Sequence, residues 1–215
     1  HSAELSRRAY PALEHRLVGW TSPDRLVPSQ ERNFDLAVHV RGCSEQKQTD
    51  VVLETWRRHY EYPVLHVVTY ADSPGFQPVP FPTTYQNIVL HHRKLDEGEL
   101  GALMTRCGIH VAPSYAEGFG HSINEGRAVG ALVVTTDAPP MNEFEHTVLV
   151  RPVEQAPHRA SRLVHRELVD VASLEEAMDG VMRMDVAERR ALGQRAREAY
   201  ERDRAAHAER VQVAL

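Results

Sequence analysis

The stretch Ile109-His110-Val111-Ala112-Pro113-Ser114-Tyr115-Ala116-Glu117-Gly118-Phe119-Gly120-His121-Ser122-Ile123-Asn124-Glu125 decides the reading of this chain. It opens with a four-residue, mainly apolar run of strand character, passes through a Gly-containing turn and enters a helical pattern. A strand, a glycine turn and a helix in that order place the turn at the C-terminal edge of a sheet, where open α/β folds bind ligands. Gly118 and Gly120 let the backbone turn tightly and approach a ligand closely. The helix that follows presents unpaired N–H groups and the positive end of its dipole, both suited to a phosphate. Glu117 lies in the turn and Glu125 on the helix, ~7–9 Å further along at 1.5 Å rise per residue. A carboxylate accepts two hydrogen bonds from a vicinal diol. On spacing alone, two readings stand: a phosphate-binding turn flanked by two acids, and a glycine turn followed by a helix with solvated glutamates.

Outward from this stretch the same alternation repeats. Short Val- and Ile-rich runs at Leu36–Val40, Val64–Tyr70, Ile88–His91, Ala131–Thr135 and Thr147–Val150 join Ile109–Ala112 as six expected strands, not strictly alternating, as in a parallel sheet covered on both faces. Between them, 48–59 places Val52, Leu53 and Trp56 on one helical face, and 96–107 places Leu100, Leu103, Met104 and Cys107 on another, with Asp96 at its N-cap. The expected fold is α/β, a Rossmann-like open parallel sheet of about six strands with helices on both faces. The Pro-rich segment between Tyr70 and Asn87 reads as a surface excursion.

Three regions are expected. Residues 1–33 form a lead-in helix, with Tyr10, Leu13 and Leu17 at helical spacing, followed by a polar connector from Thr21. Residues 34–184 form the sheet domain, and 185–215 a charged helix. Ser173 and Glu176 give a capping box for a helix through Met184, and the charge run beyond it reads as a solvated face.

The 215 residues suit one domain, and a composition of 42% apolar and 26% charged residues is that of an ordinary globular chain. A net charge of -5 with interleaved signs gives no footprint for nucleic acid. No apolar run approaches a membrane span and no signal-peptide pattern is present, so a cytoplasmic location is the default expectation. Cys43 and Cys107 have no CxxC spacing, and the histidines make no metal-ligand pattern.

The run Glu117-Gly118-Phe119-Gly120 with Glu125 eight positions on from Glu117, followed by Gly130-Ala131-Leu132-Val133-Val134-Thr135-Thr136-Asp137, resembles the signature of retaining GT-B glycosyltransferases, the group containing glycogen and sucrose synthases. The similarity extends more weakly from about Phe34 to Met184. It implies one lobe of a GT-B fold: the half that binds a nucleotide sugar such as a UDP-, GDP- or ADP-hexose, for transfer of the hexose to an unknown acceptor. By the resemblance Glu117 contacts the transferred sugar and Glu125 the ribose hydroxyls. Backbone amides of Gly118, Phe119, Gly120 and His121 meet the sugar and diphosphate, and Arg41 and Lys47 clamp the diphosphate, although their separation is one residue longer than in the family. His92, or Arg93, lies at the edge where the family's nucleobase sits, and Glu143 stands in a loop whose Pro139-Pro140 departs from the usual glycines. The resemblance implies no cofactor and no metal.

Full members run to about twice this length, so an N-terminal lobe or a partner subunit is expected to complete the enzyme. Two other readings stay open: a non-catalytic nucleotide-sugar-binding or scaffold module, and a nucleotide-sugar epimerase. A dinucleotide-dependent dehydrogenase is disfavoured because Arg41-Gly42-Cys43-Ser44 stands where a G-x-G-x-x-G would follow the first strand.

Overall fold

A computed structural model describes residues 2–70, 86–158 and 165–214. Six parallel strands build the sheet: β1 (Asn33–Gly42), β2 (Val64–Thr69), β3 (Ile88–His92), β4 (Cys107–Ala112), β5 (Leu132–Thr136) and β6 (Val148–Val150), in the order β3-β2-β1-β4-β5-β6. All five pairings are parallel. This is a doubly wound order with its switch point between β1 and β4, where the crossovers diverge and a crevice opens at the C-terminal edge. The expected six-stranded sheet is therefore observed.

The strands are apolar on both faces because helices cover both. On one face α2 (Thr49–Arg58) and α5 (Val171–Arg183) bury Val52, Trp56, Leu174 and Met178 against Leu65, Ile109, Val111 and Leu132. On the other, α3 (Glu97–Arg106) and α4 (His121–Ala128) contribute Leu103, Met104 and Ile123 to smaller clusters. Asp96 caps α3 in a full capping box with Glu99, as its sequence spacing suggests. Helix α5 begins earlier than expected: Asp170, not Ser173, is the cap, accepting from the Ser173 amide at 2.8 Å. Glu154–Pro157 and His165–Leu168 pair as a small antiparallel ribbon, β7 and β8. The residues between its strands from 159 to 164 lie outside the described residues, as does most of the Pro-rich segment between Tyr70 and Asn87.

Two expectations need correction. The first helix, α1, spans only Ser2–Ala9, and Tyr10, Leu13 and Leu17 are exposed. Pro11 follows at once and cannot continue a helix. The last helix, α6 (Val186–Ala214), is not simply a solvated face: Ala196, Ala199 and Tyr200 are buried, and Arg189 bonds the carbonyls of Val181 and Met182 at the end of α5. Its closest approach is at Gly193, where a Cβ would stand 2.4 Å from the Gly130 carbonyl oxygen. Tyr200 donates to the Ser22 carbonyl at 2.8 Å, and Arg197 pairs with Asp24 at 2.7 Å. Alanine and glycine thus give α6 a narrow contact stripe that charge counting does not reveal.

Candidate functional site

Two loops meet at the switch point. The first leaves β1. Gly42, at φ +58°, turns the chain, and Ser44 caps a single 3₁₀ turn over Glu45–Lys47 by accepting from the Gln46 amide. The second leaves β4 and runs from Pro113 to Gly120. They are tied together by backbone and side chain: the Tyr115 amide donates to the Gln46 carbonyl at 2.9 Å, and the Gln48 amide group donates to the Pro113 carbonyl at 2.7 Å. Gln48 also accepts from the Val169 amide, so the chain after β8 is held to the same point. Below them His39, fully buried, bridges the Val111 carbonyl at 2.7 Å and the Thr49 hydroxyl at 2.8 Å. Burial drives its imidazole down to about 4, so it is a neutral structural bridge at physiological pH.

The tie places Lys47 directly against the β4 loop. Its ammonium pairs with Glu117 and donates to the Ser122 hydroxyl at 2.9 Å. Both charged side chains are about nine-tenths buried, at 13% and 8% exposure. Arg41, at the end of β1, is 5% exposed; one of its terminal nitrogens donates to Thr69 at 3.4 Å, and burial lowers its pKa from the ordinary value. Gly118 stands in open space. Gly120, at φ +63°, starts α4 with no side-chain cap, and a Cβ there would meet the Phe144 ring at 2.8 Å. The turn therefore requires glycine at 120 for both backbone angle and room. Helix α4 enters the loop with its N-terminus uncovered by any capping side chain, next to Lys47 and Glu117.

Glu125, one turn into α4, is 8% exposed and is met by Arg25 at 2.9 Å; Arg25 also bonds Glu97 at the start of α3. Burial pushes the Glu125 carboxyl up, against the opposing pull of Arg25. The sequence gives no sign of this partner, which lies in a polar connector 100 residues away. Its neighbours dock the same connector: Ser22 hydrogen-bonds the His121 ring at 3.0 Å, and Trp20 packs edge-on against Phe119, His121 and Phe144 at 5.5, 5.1 and 6.1 Å.

Of the residues singled out from sequence, Lys47, Glu117, Gly118, Phe119, Gly120, His121 and Glu125 share the edge formed by the β1 and β4 loops and α4, with Arg41 at the end of β1. His92 does not join them. It is exposed at the end of β3, the outermost strand, in register with Thr69, while its neighbour His91 bonds His66 at 2.9 Å. Glu143 lies in a 3₁₀ turn, Met141–Glu143, after β5. Trp20, Ser22, Arg25 and Gln48 are contributors that carry no local sequence signal, and Ser122, though inside the glycine-turn stretch, is assigned no role by the sequence. Cys43 and Cys107 are free. Among the described residues no cluster of three His, Cys, Asp or Glu side chains is placed to hold a metal, and no helix is long and apolar enough to cross a membrane.

Comparison with solved structures gives the same architecture. Sucrose-phosphate synthase from Thermosynechococcus elongatus superposes with a TM-score of 0.64 at 17% identity, over 98% of this chain and 55% of that one. The UDP-forming α,α-trehalose-phosphate synthase from Burkholderia xenovorans, solved with glucose-6-phosphate, gives 0.62 at 15% identity over 83% and 42%. The E. coli trehalose-6-phosphate enzyme bound with UDP-2-fluoro glucose gives 0.61 at 12% identity over 83% and 43%. The chain thus spans roughly half or less of the length of the structures it resembles, and no curated protein sequence matches it. Its sheet is one Rossmann-like lobe of the GT-B glycosyltransferase fold. The sequence profile for glycosyl transferases group 1 matches residues 33–199, and the chain belongs to that family.

Proposed function

We propose that this chain is the nucleotide-sugar-binding half of a retaining glycosyltransferase that transfers a hexose from a nucleoside diphosphate to an acceptor. The observation that carries the reading is the buried cluster of Lys47, Glu117 and Ser122 at the N-terminus of α4, on the switch point of the sheet. A cation, an uncapped helix N-terminus and an open glycine converge there, which is the chemistry of a diphosphate site.

In this reading the backbone N–H groups of Gly118 to His121 and the ammonium of Lys47 receive the diphosphate, with Arg41 adding positive charge from the end of β1. As the bond between the anomeric carbon and the diphosphate oxygen breaks, negative charge grows on the leaving oxygen, and these fixed positive groups stabilise it. Glu117 exchanges its ion pair with Lys47 for sugar hydroxyls and orients the ring for attack by the acceptor on the same face that the diphosphate leaves. It is a positioning carboxylate and not a nucleophile. Glu125 accepts from the ribose diol with the oxygen that Arg25 leaves available. A partner lobe or subunit completes the acceptor side.

Calorimetry with UDP, GDP, ADP and their hexose conjugates, with and without a divalent cation, tests the proposal. One nucleotide series should bind, and an Arg41→Ala, Lys47→Ala double variant that keeps its fold by circular dichroism should lose that binding. Equal affinity in both proteins would refute the placement of the diphosphate.

A further inference from the structure

A cavity of about 450 Å³ lies beside the candidate site and shares the Gly118–Phe119 turn with it. It is lined by the lead-in segment, α4, the turn after β5 and α6, and its volume falls within the ~300–1,000 Å³ of small-molecule pockets. We propose that this cavity binds one sugar ring of an uncharged saccharide.

Three features of its walls argue for that class. The first is aromatic: Trp20, Phe119 and Phe144 all line it, with Trp20 edge-on to both phenyl rings and Phe119 itself 58% exposed. The C–H bonds on a pyranose face are the positive edge that the negative face of an aromatic ring attracts. Aromatic surface grouped in this way and rimmed by polar residues is a common mark of a binding site. The second is a built polar wall. Asn124 is 4% exposed; its carbonyl oxygen is held by Arg127 at 3.0 Å, and its amide nitrogen has no partner among the described residues. A fixed N–H₂ group with its orientation already set is what a sugar hydroxyl oxygen can accept from.

The third is charge. Arg127 and Arg210 on the walls stand against Asp203 and Glu143, and Arg127 is paired with Asp203 at 2.8 Å. The lining carries no net charge, which disfavours a phosphate or a second nucleotide and suits a neutral polyol whose hydroxyls bridge paired charges.

Position gives the saccharide its role. A ring seated against Phe119 lies next to the turn that would hold the transferred sugar, where an attacking hydroxyl must be. Calling it the acceptor rests on the proposed function above; the binding of the sugar does not.

The cavity carries its own reporter. The chain has two tryptophans, Trp20 in the cavity wall and Trp56, which is fully buried in the core. The protein is titrated with glucose, maltose, sucrose and, separately, adenosine, without nucleotide and with each sugar taken to 100 mM, while Trp20 emission is followed. At least one sugar should give a saturating change, and nuclear Overhauser contacts should appear between sugar C–H protons and the indole of Trp20. Asn124→Leu should raise the dissociation constant at least tenfold, with nucleotide affinity unchanged within twofold. No saturation by any of the three sugars overturns the proposal, as does saturation by adenosine alone, which would make the cavity an aromatic-ligand site. The Overhauser measurement needs no variant, so it decides the question even if Asn124→Leu fails to fold. Nucleotide binding without sugar binding would sink this inference alone; the reverse would sink the diphosphate site and leave the cavity standing.

Discussion

Replacing Arg25 with Met keeps most of the side-chain volume and removes the guanidinium that meets Glu125 at 2.9 Å and also bonds Glu97. The Arg25 and Glu125 side chains are 13% and 11% exposed, so the pair belongs near the buried limit. Removing one member of a fully buried pair costs about 3–5 kcal/mol, whereas an exposed pair is worth about 0–1 kcal/mol. At this residual exposure the expected loss is about 2–3 kcal/mol at pH 8.5, interpolating between those limits. For a chain of this size that is a fall in melting temperature of roughly 5–10 °C.

The pH dependence gives the sharper check. Burial pushes the Glu125 carboxyl above the ordinary glutamate range and Arg25 pulls it back. A carboxyl with a raised folded pKa contributes stability that is fully present below its unfolded value and lost as pH rises through the folded one. Without Arg25 the folded pKa moves higher still, so the deficit of the variant must widen from pH 4.5, the ordinary glutamate value, to pH 8.5. Urea unfolding at the two pH values measures it, and adding Glu125→Gln to Arg25→Met should recover most of the loss at pH 8.5. A deficit below about 0.5 kcal/mol, the range of an ordinary surface change, or one that is the same at both pH values, would refute the buried-pair argument.

Other outcomes follow from named contacts. Glu125→Ala should weaken binding of a plain nucleoside diphosphate about 10- to 150-fold, as expected for losing a charged hydrogen bond of about 1.5–3 kcal/mol, while Glu117→Ala mainly harms discrimination of the sugar; equal losses by calorimetry would contradict the division of roles. His39→Leu strands the Val111 carbonyl and Thr49 hydroxyl and should cost about 1–3 kcal/mol at pH 7.5 in urea unfolding. Because the folded pKa of His39 lies at about 4 against 6.5 unfolded, its stability contribution is present above pH 6.5 and lost as pH falls towards 4, at about 1.4 kcal/mol per pH unit; the Leu variant should lose that share of acid sensitivity. Gly193→Ala drives a methyl into the Gly130 carbonyl, 2.4 Å away, and should lower stability by about 1–3 kcal/mol; an unchanged melting curve would mean that α6 can shift without cost.

The alternation of apolar runs and amphipathic stretches was enough to determine a doubly wound sheet, because strand and helix periodicity are local and the six runs stand at regular intervals. The turn at Glu117–Gly120 and the Asp96 cap were legible for the same reason: each depends on residues within a few positions of one another. Lys47 could be placed near that turn only by family resemblance, and the structure supplies the physical reason, a Gln46–Tyr115 backbone bond that joins two loops far apart in sequence. What the tertiary structure alone decided is the fate of the segments with weak periodicity. Residues 20–27 look like a polar connector, yet Trp20, Ser22 and Arg25 close against α4 and α6 because complementary partners meet them there: the His121 ring, the Glu125 carboxylate and the Tyr200 hydroxyl. The helical spacing of Tyr10, Leu13 and Leu17 yields no buried face, because α1 ends before Pro11, while α6, polar by composition, buries Arg189, Gly193, Ala196, Ala199 and Tyr200 because its small residues let it approach β5 and α4 closely. Local pattern fixes which elements form; which of their faces are covered, and which carboxylate a distant arginine finds, depends on contacts between residues about 100 positions apart, to which no window of sequence is sensitive.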